Sequence, residues 1–335
     1  EFDGPSSRPD LSKITTVPGM LFKRCMVRGF TNATPMFGRI DGTQYSSDDE
    51  SMEDIKLAGF ICGPYNDGQY IVKTTAFRAY DLPGFDSNAF FDAFAGQPAT
   101  MTQQGDIDGA ALSVLVDGVT EDGYFADVKL FGSIAWSKTR PDADGQMLGV
   151  TTPLGVLGAE TGESKTGHSY WFGAQLPVNI ADENYGKLGL EYNHGSEYWR
   201  PFDYAEDTMI GSKLAARGDA WEAYYTYQIS EALSMQLRYT DIDYDYAGSN
   251  GFIESGGTPI KIDDVKDAGA GYNQVVDMTG STDPAVLAGA LVAGGMAPDA
   301  ATAGQMVGGM MMYSQFAPSI VEAAQDLRCY IRYRF

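Results

Sequence analysis

From about residue 54 to the C-terminus, apolar and polar side chains alternate with a period of two. The pattern is clearest in Leu327–Phe335, where Leu327, Cys329, Ile331, Tyr333 and Phe335 share one face and Arg328, Tyr330, Arg332 and Arg334 share the other. It recurs in Leu233–Tyr239, Trp221–Ile229, Lys187–Asn193, Ser169–Val178 and Ala126–Trp136. This alternation predicts strands with one apolar face, and a helical period of about 100° per residue fits none of these segments. Weaker alternation at 109–117, 68–80 and 54–62 predicts further strands, with earlier ones near 36–45 and 21–30. Nine to eleven strands are expected in all, after an irregular segment over residues 1–20.

A soluble β-sandwich alternates in the same way. The connections separate the two cases. Working back from the C-terminus, the links 246–325, 194–218, 138–166 and 81–108 are long, and the intervening 230–232, 179–185, 118–123 and 63–67 are short. Strict long/short alternation is the mark of an outer-membrane barrel, with short periplasmic turns and long outer loops. A sandwich rarely carries structureless loops above about 12–15 residues. The fold expected over 21–335 is therefore an all-β antiparallel transmembrane β-barrel with long extracellular loops. A last strand running to Phe335 puts the C-terminus on the side of the short turns, as in bacterial barrels that end on an aromatic residue. Trp136, Tyr170, Tyr192, Trp221, Tyr227, Tyr239 and Tyr333 lie near strand ends on the apolar face, where interface girdles sit, although a soluble core would use them too.

The longest loop, 246–325, carries short helices. Asp283-Pro284 supplies an N-cap and a Pro at the first helical position before an Ala/Leu/Val run, and Pro298–Met312 is a second helical stretch. Helices this apolar must bury a face, in the barrel mouth, over the loops or against a partner. The run Ala285–Met296 falls short of the ~18 apolar residues that a membrane helix needs. Glu1–Pro5 lacks the basic and apolar regions of a signal peptide, so a processed or N-terminally truncated chain is expected.

Composition narrows the function. The 335 residues carry 23 Lys+Arg against 45 Asp+Glu, a formal charge of −22, which argues against nucleic acid as a partner. Two His leave little room for a His-rich metal site, and three Cys without a C-x-x-C exclude zinc ribbons and dithiol redox motifs. Lys165-Thr166 lacks the glycines of a phosphate loop, and neither His168 nor His194 accompanies a G-x-S-x-G elbow, so no enzyme is read here. The expected functional surface is the barrel lumen. By parity it holds Asp127, Lys129, Lys187, Glu191, Glu222, Arg238, Arg328, Arg332 and Arg334, because Lys or Arg on the lipid face at midplane costs about 2–4 kcal/mol. Such charges either line a wet pore or neutralise one another across it.

Asp241, Asp243 and Asp245 resemble half of a calcium loop, but the Gly and Glu of an EF-hand are replaced by Tyr246 and Phe252. A calcium site completed by Asn250 or Glu254 and a solvated strand end are both open. No other cofactor is expected. Cys25, Cys62 and Cys329 fall on separate segments and read as structural thiols.

Leu188–His194, Tyr198–Phe202, Gly211–Leu214, Arg238–Tyr246, Gly248–Gly251 and Ala324–Phe335 together resemble a bacterial outer-membrane family, domain of unknown function 3373, regarded as porin-like. The likeness is good over the last half of the chain and thin over the first hundred residues. It implies a Gram-negative outer-membrane channel for passive diffusion of small hydrophilic solutes or ions, in contact with outer-membrane lipid. A non-conducting barrel acting as scaffold, adhesin or partner-binding protein is the alternative. Full-length members are longer at the N-terminus.

Overall fold

The computed structural model describes residues 2–3, 6–7, 17–29, 56–85, 101–152, 155–180, 183–201, 210–248 and 257–334. The strand expected near 36–45 lies outside these residues. The chain is mostly antiparallel β-sheet. Ten long strands follow one another: β3 (Leu21–Gly29), β4 (Lys56–Asn66), β5 (Tyr70–Phe85), β6 (Met101–Asp117), β7 (Lys129–Pro141), β10 (Thr166–Ile180), β11 (Glu183–Gly195), β12 (Gly218–Gln228), β13 (Leu233–Tyr244) and β14 (Ala323–Tyr333). Two-residue strands β1 (Phe2–Asp3) and β2 (Ser6–Ser7) pair with β3, so the first twenty residues are not wholly irregular. The other pairings join chain neighbours in a meander, except that a short hairpin, β8 (Gly149–Thr152) with β9 (Gly155–Gly158), stands outside the sheet between β7 and β10. The sheet is open: among the described residues β14 pairs with β13 and not with β3.

The short connections are built as tight turns. Between β4 and β5, Asp67 accepts from the amides of Gln69 and Tyr70, Gly68 adopts φ 99°, and the Tyr70 amide holds the Asp67 carboxyl below its ordinary pKa. Between β12 and β13, Ile229 and Ser230 donate to the Leu233 carbonyl. The long connections gather at the opposite end.

One face of the sheet is apolar and exposed. Leu130, Ile134, Trp136, Phe172, Leu190, Trp221, Leu237 and Tyr239 are each at least 42% exposed, apart from Tyr239 at 41%. The cross-strand registers align them into rows, Leu130–Ala174–Leu190–Ala223–Tyr239–Leu327 among them. Six of the seven aromatic residues expected at strand ends, all but Tyr192, are exposed on this face. A contiguous exposed apolar surface of this kind marks a contact with a membrane, a ligand or another protein.

Toward the short turns the opposite face is polar over β7–β14 and mixed over β3–β6, where Leu21, Ile61, Ile71 and Leu115 share it with Lys23, Lys73 and Asp117; toward the other end it is covered by loops. Met147, fully buried, packs with Ala79, Leu82 and Ile107. Trp199, Ala215 and Ala216 are buried as well. Small residues on this face make room for rings. A Cβ on Gly189 would come within 2.0 Å of the Tyr224 ring on β12, and one on Gly109 within 2.3 Å of Phe77. Gly189→Ala is therefore expected to displace Tyr224, break its 2.8 Å bond from Gln175 and cost about 1–3 kcal/mol in denaturant unfolding.

The connection from β13 to β14 holds three helices, α1 (Ile262–Thr279), α2 (Pro284–Ala293) and α3 (Ala300–Phe316). Asp283 caps α2 with Pro284 at its first turn, as the sequence predicts, and Asp299 caps α3 through the Thr302 amide. α1, rich in Asp and Gly, has no counterpart in the sequence expectations, and α3 runs four residues past the predicted 312. The helices bury their apolar faces on one another, through Val275, Leu287, Leu291, Ala303 and Val307. They join the sheet through Ile262, which packs with Ala216, Ile242 and Tyr244, and through a 2.6 Å Lys266–Glu322 ion pair.

Candidate functional site

The centre of the polar face is a buried charge network. Glu191 on β11 and Glu222 on β12 are direct cross-strand partners. Two carboxylates in that position repel each other, and both are buried, Glu222 to 3% exposure. The cation that reconciles them comes from the loop before β12. Ile210–Arg217 folds back over the polar face, and its single turn Lys213–Ala215 delivers Lys213 between the two acids. Its Nζ lies 2.6 Å from Glu191 Oε2 and 2.6 Å from Glu222 Oε1. Trp171 Nε1 donates to Glu191 at 2.9 Å, and Thr240 Oγ1 donates to Glu222 at 2.9 Å.

The turn is fastened by its own backbone. Asn193 Nδ2 donates to the Lys213 carbonyl at 2.9 Å, Trp199 Nε1 to the Leu214 carbonyl at 2.7 Å, and Ser212 Oγ accepts the Leu214 amide. Arg217, 1% exposed, donates to the carbonyls of Trp199, Ala247 and Gly257. One loop is thus tied to both the strands beneath it and the segment above it.

Below the network lies a belt of cations. Arg238 Nε is 3.6 Å from Glu222, and its guanidinium sits 5.6 Å from the Tyr224 ring centre and 5.7 Å from that of Tyr330. Arg328 is its direct cross-strand partner and is held by Asp326 and the Tyr330 hydroxyl. Lys187 opposes Thr226, Arg332 opposes Ser234, and Lys129 pairs with Asp117 at 2.5 Å.

Of the residues expected in the lumen, Lys129, Lys187, Glu191, Glu222, Arg238, Arg328 and Arg332 therefore share the polar face. Asp127 does not. Alternation places it on a strand from Ala126, but Tyr124–Asp127 is a 3-10 turn closed by the bond from the Ala126 amide to the Gly123 carbonyl, and the strand starts at Lys129. Lys213 belongs to the site although strand parity does not reach it. It lies in a connection, where parity says nothing, and its only signal was its place in Gly211–Leu214 among the family-like motifs.

Asp241 and Asp243 lie on the apolar face beyond Tyr239, opposite Trp221 and Asp219, and Asp245 follows the strand end. Alternate strand residues are roughly 7 Å apart, and no group of three or more His, Cys, Asp or Glu among the described residues could hold a metal. Asn250 and Glu254 lie outside those residues. His194 Nδ1 is 2.9 Å from Asp219, which also accepts the Tyr192 hydroxyl, and the Tyr170 ring stacks on His194 at 5.0 Å. Cys62 is half-buried and Cys329 exposed, both as free thiols.

The family described as Protein of unknown function (DUF3373) matches residues 1–283. The match takes in the first hundred residues, where the motifs were thin, and stops short of Ala324–Phe335. No curated protein matches the chain.

Proposed function

This chain belongs to the DUF3373 family, and we propose, from the two faces of its sheet, that it is a porin-like channel of a bacterial outer membrane, passing small hydrophilic solutes or ions by diffusion. The observation that carries the reading is the division of the sheet from β7 to β14 into a face with continuous exposed apolar rows and a face of charged side chains. A bilayer would cover the first, and curvature of the meander into a barrel would enclose the second as a lumen. The Glu191–Lys213–Glu222 network, carried inward by a loop, would then form its narrow point. Passive diffusion needs no catalytic group and no cofactor. Outer-membrane lipid and the permeating solute are the partners this reading requires.

The test is single-channel recording of the refolded protein in a planar bilayer. Discrete, reproducible conductance steps are expected. Silence from protein with intact β-sheet signal would overturn the channel reading. It would favour a non-conducting barrel that presents a surface to a partner. The loops packed over one end of the polar face, with Met147 and Arg217 almost fully buried, favour that second reading. A barrel of about eight strands is filled by its own side chains, whereas one of about sixteen leaves a channel.

A further inference from the structure

The balance of charge on the polar face is the reverse of that in the whole molecule. The chain carries 45 acids and 23 cations. On the polar face the described side chains reverse that ratio. Lys23 and Lys73 extend the belt of five cations onto β3 and β5, and Lys213 enters from its loop. Seven of these eight cations are on the described strands, where the acids of the same face are Asp117, Glu191, Glu222 and Asp326. The strand acids Asp106, Asp108, Asp219, Asp241 and Asp243 all lie on the other face.

The excess cations are incompletely neutralised. Lys213 engages both Glu191 and Glu222 at 2.6 Å, and Arg238 has only a 3.6 Å share of Glu222 and a 3.4 Å bond to the neutral Gln236 side chain. Arg238 and Arg328 stand directly opposite each other, an arrangement that repels unless an anion intervenes. Asp326 serves Arg328. The Nε of Arg238 is buried without a hydrogen-bond partner, while its side chain as a whole remains 26% exposed. A low-dielectric wall around such a surface concentrates anions and repels cations.

We infer that the polar face selects small anions, inorganic or carboxylate, with the Arg238–Arg328 pair as the step where the anion sheds part of its water. The inference rests on the channel reading and names the solute class for it. An acidic exterior does not oppose it, because charges separated by more than about 8–10 Å of electrolyte are screened.

The experiment is the reversal potential of the full chain in a planar bilayer under a potassium chloride gradient. Wild type is expected to favour chloride over potassium several-fold, and Arg238→Glu with Arg328→Glu to invert the preference. Arg332→Glu, at an exposed position, is expected to reduce it and serves if the double variant does not fold. Arg140→Gln, on the other face, is expected to leave it unchanged. Potassium preference in a conducting wild type overturns the inference and leaves the channel standing. Unchanged selectivity in the conducting Arg238, Arg328 or Arg332 variants does the same. Absence of conductance from folded protein overturns the channel and this inference with it.

Discussion

Lys213→Ala is expected to destabilise the folded protein by about 3–5 kcal/mol, the range found when one member of a buried ion pair is removed and its partners stay behind. Here the stranded partners are Glu191 and Glu222, placed side by side by their strand register. The remaining cation of the group, Arg238, is 3.6 Å from Glu222 and cannot substitute for a 2.6 Å ammonium that touches both acids. Guanidinium unfolding followed by tryptophan emission reads the loss directly, since Trp171 donates to Glu191. Lys213→Ala combined with Glu191→Gln and Glu222→Gln is expected to recover most of it, because neutral amides remove the repulsion. If the single substitution costs less than about 1 kcal/mol, the network is exposed to water and behaves as a surface ion pair.

Leu190→Arg is expected to cost about 2–4 kcal/mol when the protein is refolded into lipid vesicles, the penalty for Arg near the midplane of a barrel. Leu190 is 48% exposed and sits in the middle of the apolar rows. In a water-soluble sheet the same substitution at an exposed position would stay within about 0.5 kcal/mol. The two outcomes differ by more than the error of a denaturant titration. The measurement therefore tests the membrane reading separately from conductance. A near-zero cost would require the apolar face to be solvated or to face another protein, and the channel reading would fall.

Most of the sheet was legible in the sequence because strand parity survives tertiary context. Leu233, Met235, Leu237 and Tyr239 alternate with Ser234, Gln236 and Arg238, and the register keeps those sets on opposite faces. The order of long and short connections was equally readable, since a meander needs only tight turns at one end. What escaped was everything set by loops. Asp127 fits the alternation of the strand that follows only because a turn can contain one alternating residue by chance. Lys213 was invisible as a site because its role comes from a backbone held by Asn193 and Trp199, far along the chain. α1 was missed since its Asp- and Gly-rich sequence gains its helix from packing on α3 rather than from propensity, with Gly269 fitting against Ser314.

The place of the helices between β13 and β14 has a consequence for the order of assembly. Every other long pairing in the sheet joins consecutive long strands across connections much shorter than this one, so each closes at a smaller entropic cost. β14 must instead return across residues 245–322 to find β13. The cost of closing a flexible loop grows with the logarithm of its length. Helices that collapse onto their own core first replace most of that flexible length with a compact body whose two ends both lie near the sheet margin, at Ile262 and Glu322. A helical unit that forms first would present β14 to its edge already tethered, and the last strand would dock at a smaller kinetic disadvantage than its separation in sequence implies.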